Sequence, residues 1–531
     1  MKISVISLLL LFFTGSLSAQ HDHDFLKDRM SKKSDVVYTI RADVEPDFGI
    51  VKGSLELEFL NNTDTVLNSL SFAVLLQEYK EGTKLANRHF LVDYDTLFIS
   101  DTSSGYMKID SITYLGVTLG SEQYRLQEGY LNVNLPASVP PGEKRYLFLS
   151  FESKIPVVIE EKRFVRLFKD FFPKLIQFDS NIRYDFGWYE NNLPFADFHV
   201  ELNIIGGYQL SHPGKLLNEK RIYDLPDSGS LWIDYTKYVD SLSEHKYAIA
   251  SKKSRDFQFV VSRGFQRDRL ISENYSIDAQ YHLKKCKYEW AGRAVLVADS
   301  LITELNKTYG EFPYKSLELC AIDSTFLQFG SGPIIFIPRD VKKEYDMALY
   351  ILSELTKLYV PKIISNENES AYFSDGFATY IAMRTAFERY HNDGYSDLKR
   401  YEKRLRNKTK AYKLHEKDIK ALDPLGYPVT IPNDDVASDI KAIPLYFHNV
   451  FRKIPAWLEL IRYVAGDSVF NPALQKTLEK YAFQSVSSDE FVSGFSNNLN
   501  TEILSEEYLH NLLADVDSID FTIENTKIEQ K

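Results

Sequence analysis

Cysteine is scarce, at two in 531 residues, so no disulfide framework holds this chain together. Cys286 falls on an expected helix and Cys320 on an expected strand. Both read as buried, apolar-like side chains rather than as a bridge. Positive charge is in deficit too: the formal net charge is −11, which argues against a general nucleic-acid binder. Beyond the first residues, no apolar run reaches the length needed to cross a bilayer as a helix. There is no glycine-rich phosphate loop, no recognisable serine–histidine–aspartate spacing, no internal repeat and no low-complexity tract.

What is present begins with a processing segment. Lys2 supplies the positive start, Ile6 to Phe13 the apolar run, and Ser16-Leu17-Ser18-Ala19-Gln20 the small-residue cleavage region. Cleavage after Ser18 and after Ala19 both fit. No cysteine follows the leader, so a lipid-anchored form is not indicated. The expected mature chain is exported, with periplasm and full secretion equally open. Roughly 510 residues remain, enough for two or more domains with sizeable cores.

Two kinds of patterning divide those residues. From Val36 to about Arg255 the chain alternates with period two, most cleanly in Val51–Leu60, and again in Tyr130–Leu135, Tyr146–Phe151 and Phe198–Ile205. Asn61-Asn62-Thr63-Asp64 and Pro140-Pro141-Gly142-Glu143 supply turns. This half reads as an all-β sandwich. Thereafter the period changes. Trp290–Tyr309 is expected as a helix, Leu317–Ile322 and Pro333–Ile337 as short strands, and Val341–Val360 as one amphipathic helix ended by Pro361. Its inward stripe is Met347, Ile351, Leu355 and Leu358. Helices dominate from Ser374 to about Leu513, followed by a polar tail.

Three short motifs occur in order along that second half: Tyr309-Gly310-Glu311-Phe312-Pro313-Tyr314, Asp375-Gly376-Phe377-Ala378-Thr379-Tyr380, and Ile461-Arg462-Tyr463-Val464-Ala465-Gly466-Asp467. Placed after a β module, they resemble the gluzincin aminopeptidases of the aminopeptidase N family. The resemblance implies an α+β multidomain chain: an N-terminal all-β saddle or sandwich domain, then a thermolysin-like, mostly helical catalytic-type domain. The implied boundaries are 1–19 for the signal peptide, 20–255 for the saddle, 256–515 for the peptidase-like domain and 516–531 for the tail.

The same resemblance exposes what the site lacks. The family binds zinc with two histidines four apart on one helix, with a glutamate between them that polarises the attacking water. Here those positions hold Ser353, Glu354 and Lys357, and no histidine occurs from 283 to 390. The third ligand aligns with Asp375, one methylene short and one residue early. The oxyanion-steadying tyrosine aligns with Phe451, which has no hydroxyl; losing one such donor lowers rates by on the order of 10²–10³. The strand whose glutamate anchors a substrate amine aligns with Gly330-Ser331-Gly332-Pro333-Ile334, which has no carboxylate. No cofactor is expected, since zinc's ligands are absent.

Simpler accounts exist for each remaining group. Glu354 reads as a helix residue paired with a nearby cation, Lys357 or Lys343. Asp375 reads as the N-cap of a Gly376–Thr385 helix. Ser365-Asn366-Glu367-Asn368-Glu369 lacks calcium-loop spacing, and His21-Asp22-His23-Asp24 reads as a polar terminus. The basic run from Lys399 to Lys420 reads as a solvated face, with an anionic docking surface as its sharper alternative. The sequence thus leads to an exported, inactive peptidase relative that binds a peptide or protein ligand. One rival is a hydrolase rebuilt on Glu354, Asp375 and Glu367 or Glu369 around a harder metal. The other makes the β module the working part.

Overall fold

The computed structural model describes residues 30–79, 105–127, 129–155, 165–176, 193–218, 232–233, 244–263, 265–282, 289–322, 332–339, 341, 343–364, 372–390, 453–500 and 504–514. The described residues form two compact units, one up to Tyr359 and one from Val360. The two-part organisation read from the sequence is present, with a large β region first and helices later. Contact density, however, divides the described chain after Tyr359, whereas residue patterning changes near Arg255. Among the described residues no helix is long and apolar enough to cross a membrane.

The first unit is organised by alternation. In Val36–Glu45, Val36, Tyr38, Ile40, Ala42 and Val44 are buried, while Arg41 and Asp43 face out. Ile50–Leu60 pairs with it antiparallel, setting Leu57 opposite Tyr38 and Leu55 opposite Ile40. Six more strands complete an eight-stranded sheet, in which Val36–Glu45 runs parallel to Ala196–Ile205. A four-stranded sheet carries Leu70, Phe72, Leu131, Val133 and Leu175 into the same apolar cluster as Leu55, Leu57 and Phe59. Each such side chain contributes about 1.5–3 kcal/mol on burial, so the shared cluster is what makes the two sheets a sandwich.

A three-stranded sheet (Gln209–Ser211, Phe259–Ser262, Val165–Phe168) leads from this sandwich to a five-stranded sheet. The latter runs in the order Trp232–Ile233, Phe265–Ile271, Ser276–His282, Ser316–Ile322, Ile334–Pro338, and its last three strands are mutually parallel. Parallel neighbours need a crossover, supplied here by helix α1, Glu289–Tyr309. Its buried stripe includes Trp290, Ala294, Leu301 and Leu305, as the helical spacing predicts. Gly310 follows with φ +100°, a conformation glycine adopts without penalty. The chain then turns so that Tyr309, Phe312 and Tyr314 are all buried.

Helix α2 spans Glu344–Leu355 and is followed by a 3₁₀ turn over Thr356–Leu358. The single helix expected over 341–360 is therefore shorter and changes type at its end. Thr356 Oγ1 donates to the Leu352 carbonyl at 2.7 Å, a local bond that competes with continuation of the α ladder.

The second unit contains α3 (Tyr372–Tyr390), α4 (Ile454–Ala465), α5 (Asp467–Tyr481), α6 (Ser488–Leu499) and α7 (Glu506–Ala514). Lys362–Ile364 and Ser485–Ser487 pair as a short parallel ribbon. Ser487 caps α6 by accepting from the Glu490 amide at 3.1 Å. Its core is aromatic: Phe373, Phe377, Trp457 and Phe491 meet at centroid separations of 5.0–6.4 Å. Gly376 lies so close to α4 that an added Cβ would meet the Ile454 side chain at 2.7 Å. Replacing Gly376 by Ala is therefore expected to destabilise the protein by about 1–3 kcal/mol, overlap outweighing the helix-propensity gain of about 1 kcal/mol. Thermal unfolding of the variant measures this.

Candidate functional site

The remnant positions on α2 lie in an apolar setting. Met347, Ala348, Leu349, Ile351, Leu352 and Leu355 are all buried. Ser353 and Glu354, at 5% and 6% exposure, are buried with them. Ser353 Oγ turns back to donate to the Tyr350 carbonyl at 2.8 Å. Glu354 takes the cation that sequence alone assigned to either Lys357 or Lys343: Lys357 Nζ stands 3.2 and 3.4 Å from its two carboxylate oxygens. Lys357 is not on the α-helix, as a four-residue spacing on one face would need, but in the 3₁₀ turn. The structure thus brings Glu354 and Lys357 together and directs Ser353 to its own backbone.

Zinc does not fit this donor set. A hydroxyl committed to a backbone carbonyl and an ammonium replace two neutral imidazoles, and an ammonium beside the glutamate repels a dication. Among the described residues no three His, Cys, Asp or Glu side chains gather closely enough to hold a metal ion. The carboxylate that a rebuilt metal site would need from α2 is already ion-paired.

Asp375 belongs to the second unit and corrects an expectation. Helix α3 starts at Tyr372, not Gly376, so Asp375 lies inside the first turn rather than at the N-cap. The earlier start is anchored by Phe373, which packs on Phe377 and Trp457. A carboxylate in the first turn still interacts favourably with the helix dipole.

Of the five residues aligned with the family's amine-anchoring strand, only Ile334 falls in a described strand, Ile334–Pro338, all five residues of which are buried. It is the last strand of its sheet, and among the described residues no strand pairs with its free edge. Before it, the Pro333 carbonyl accepts from the Glu318 amide at 2.9 Å. Gly332 packs against Ser254, whose Oγ would stand 2.5 Å from an added Cβ. Gly330, Ser331, Phe451, Cys286, the Ser365–Glu369 run, the Lys399–Lys420 run, the leader and the tail lie outside the described residues.

Sequence reading missed a buried ionic group formed by Arg267, Asp278 and Glu318, at 7%, 4% and 4% exposure. Its signal was charged residues at inward positions of short apolar strands.

No family model matches the chain, and no curated protein sequence matches it either. Solved structures do. An M1 zinc metallopeptidase from Deinococcus radiodurans superposes with a TM-score of 0.57 at 12% identity, covering 91% of this chain and 94% of the other. The fold is that of the two-domain M1 zinc metallopeptidases. A two-domain glutamate-to-alanine mutant bound to L-arginine matches with a TM-score of 0.56, at 12% identity over 91% and 95% of the two chains. A similar mutant from Deinococcus radiodurans, bound to a Tyr-Ser-Ala substrate, matches at 0.55, again at 12% identity over 91% and 94%. At this identity the likeness establishes the M1 fold and leaves the chemistry to the residues themselves.

Those residues give a stability prediction. Lys357→Met strands the buried Glu354 carboxylate and is expected to destabilise by about 1–3 kcal/mol, reduced from a fully buried pair because Lys357 is 23% exposed. Adding Glu354→Gln should recover most of that loss. Urea denaturation of the two single variants and the double variant completes the cycle.

Proposed function

We propose that this protein is an exported, catalytically inactive relative of the zinc aminopeptidases that holds a peptide or protein ligand in its cleft without cutting it. The observation that carries this reading is the ion pair between Lys357 and Glu354. A glutamate at this point in an active M1 site acts on a metal-bound water. Here its charge is matched by a cation of its own chain, and the sequence has no histidine from 283 to 390 to recruit a metal. Phe451 in place of tyrosine and a substrate strand without a carboxylate point the same way.

Binding can outlast chemistry because it uses different groups. An edge strand such as Ile334–Pro338 offers backbone donors and acceptors to an extended peptide, and strand addition needs no metal. Similar structures bind a tripeptide and single amino acids in their M1 folds, so a peptide-sized ligand is the natural class for this cleft. The export reading rests on residues 1–19.

Purified full-length protein is expected to contain no stoichiometric zinc by metal analysis. It should release nothing from aminoacyl or peptide reporters, while retaining peptides from a defined library intact in equilibrium binding. Stoichiometric metal together with turnover that a chelator abolishes would overturn the reading in favour of a rebuilt hydrolase. Equal retention by the β region alone would instead move the binding site there.

A further inference from the structure

Between the three-stranded and five-stranded sheets lies a layer that is apolar at one end and ionic at the other. Val260, Cys320, Ile334 and Phe336 form the apolar end, with Leu167 at its margin. The ionic end comes from the same face of the five-stranded sheet. Register sets Arg269 opposite Asp278 and Asp278 opposite Glu318, with Arg267 one pleat along. Ser211, from the three-stranded sheet, reaches across to this group.

The donors in this layer are shared unequally. Asp278 receives Arg269 at 2.6 and 3.2 Å, and Arg267 Nε stands 3.0 Å away. Glu318 receives only the Ser211 hydroxyl, at 3.0 Å, while the nearest Arg267 nitrogen stays 3.6 Å off, beyond hydrogen-bond reach. Asp278 thus has the closer contacts with both guanidiniums, while Glu318 keeps one hydroxyl bond and the longer ion pair to Arg267, so Glu318 is the acid on which a proton is less opposed. The other facing elements do not change this balance. The Ile334–Pro338 and Phe259–Ser262 strands bring no titratable side chain. Buried His212, just beyond Ser211, is pushed down to about 3 by burial and by Arg267, so it stays neutral.

We propose that Glu318 is a proton switch in this layer: as a neutral acid it keeps the two sheets closed, and on ionising it loosens Ser316–Ile322, the hydrogen-bonded neighbour of the edge strand Ile334–Pro338. Burial raises the Glu318 carboxyl from its ordinary value to about 8, while the two guanidiniums hold Asp278 below the usual carboxylate range. The sign follows from linkage. A carboxyl whose folded value is raised contributes stability fully below its ordinary value of 4.5, and that contribution is lost as the pH rises to about 8. This inference is independent of whether the cleft binds peptide.

Hydrogen exchange of the full chain, corrected for intrinsic base catalysis, tests it directly. Opening of the 316–322 amides should become about tenfold more frequent per pH unit between pH 6 and 8, then level off. Glu318→Gln, which keeps the shape without the proton, should remove that slope. It should also raise the midpoint of thermal unfolding by several degrees at pH 9 while leaving it unchanged at pH 5. A slope that is flat or reversed in the parent protein would overturn the proposal. So would a variant whose midpoint falls at pH 9, since that would make an ionised Glu318 bound to Arg267 the stabilising form.

Discussion

The strand Ser316–Ile322 is hydrogen-bonded along both edges, and much of the first unit depends on that constraint. A strand fixed on both sides cannot slip by one residue without exchanging its two faces. Leu317, Leu319 and Ala321 are thereby assigned to one face, and Glu318 and Cys320 to the other. The apolar face continues through Ile277, Ala279, Ile335 and Ile337, all buried, and α1 packs over that sheet as its crossover helix. The opposite face is split between an apolar cluster and paired charges. One register therefore decides where the helices dock, where the β sandwich attaches and which strand ends the sheet.

The position of the edge strand follows from the same pairing. Ile334 stands opposite Glu318, so the residue that begins the edge strand shares a rung with the acid in the ionic layer. Ser316–Ile322 and Ile334–Pro338 are joined directly by backbone hydrogen bonds.

Local patterning and long-range pairing account for what could and could not be read in advance. The alternation in Val51–Leu60 and the helical stripe in Trp290–Tyr309 are local properties, and both elements form where their periodicities place them. The Tyr309–Tyr314 turn was legible because glycine and a proline-bracketed aromatic pair constrain the backbone themselves. The end of α2 was not: its change to a 3₁₀ turn depends on a threonine hydroxyl finding the Leu352 carbonyl. The start of α3 was misplaced for a related reason. Phe373 looks like a loop residue until Trp457, far along the chain, provides its packing partner. Arg267, Asp278 and Glu318 drew no notice in the sequence because nothing in their own strands reveals that another sheet covers them.

The ion pair on α2 is best understood through charge balance at Glu354. A carboxylate buried to 6% exposure on an apolar helix needs a cation, since an unpaired buried charge is strongly destabilising. In a zinc site the metal and its surroundings fill that role. Here Lys357, three residues along and 23% exposed, brings the ammonium to within 3.2 Å. Lys357 therefore supplies the positive charge that the buried Glu354 carboxylate needs. Ser353 needs no such compensation, because its hydroxyl is satisfied within the helix at Tyr350. The fold keeps its packing because both altered positions are balanced locally. The same local balance commits the Glu354 charge to Lys357.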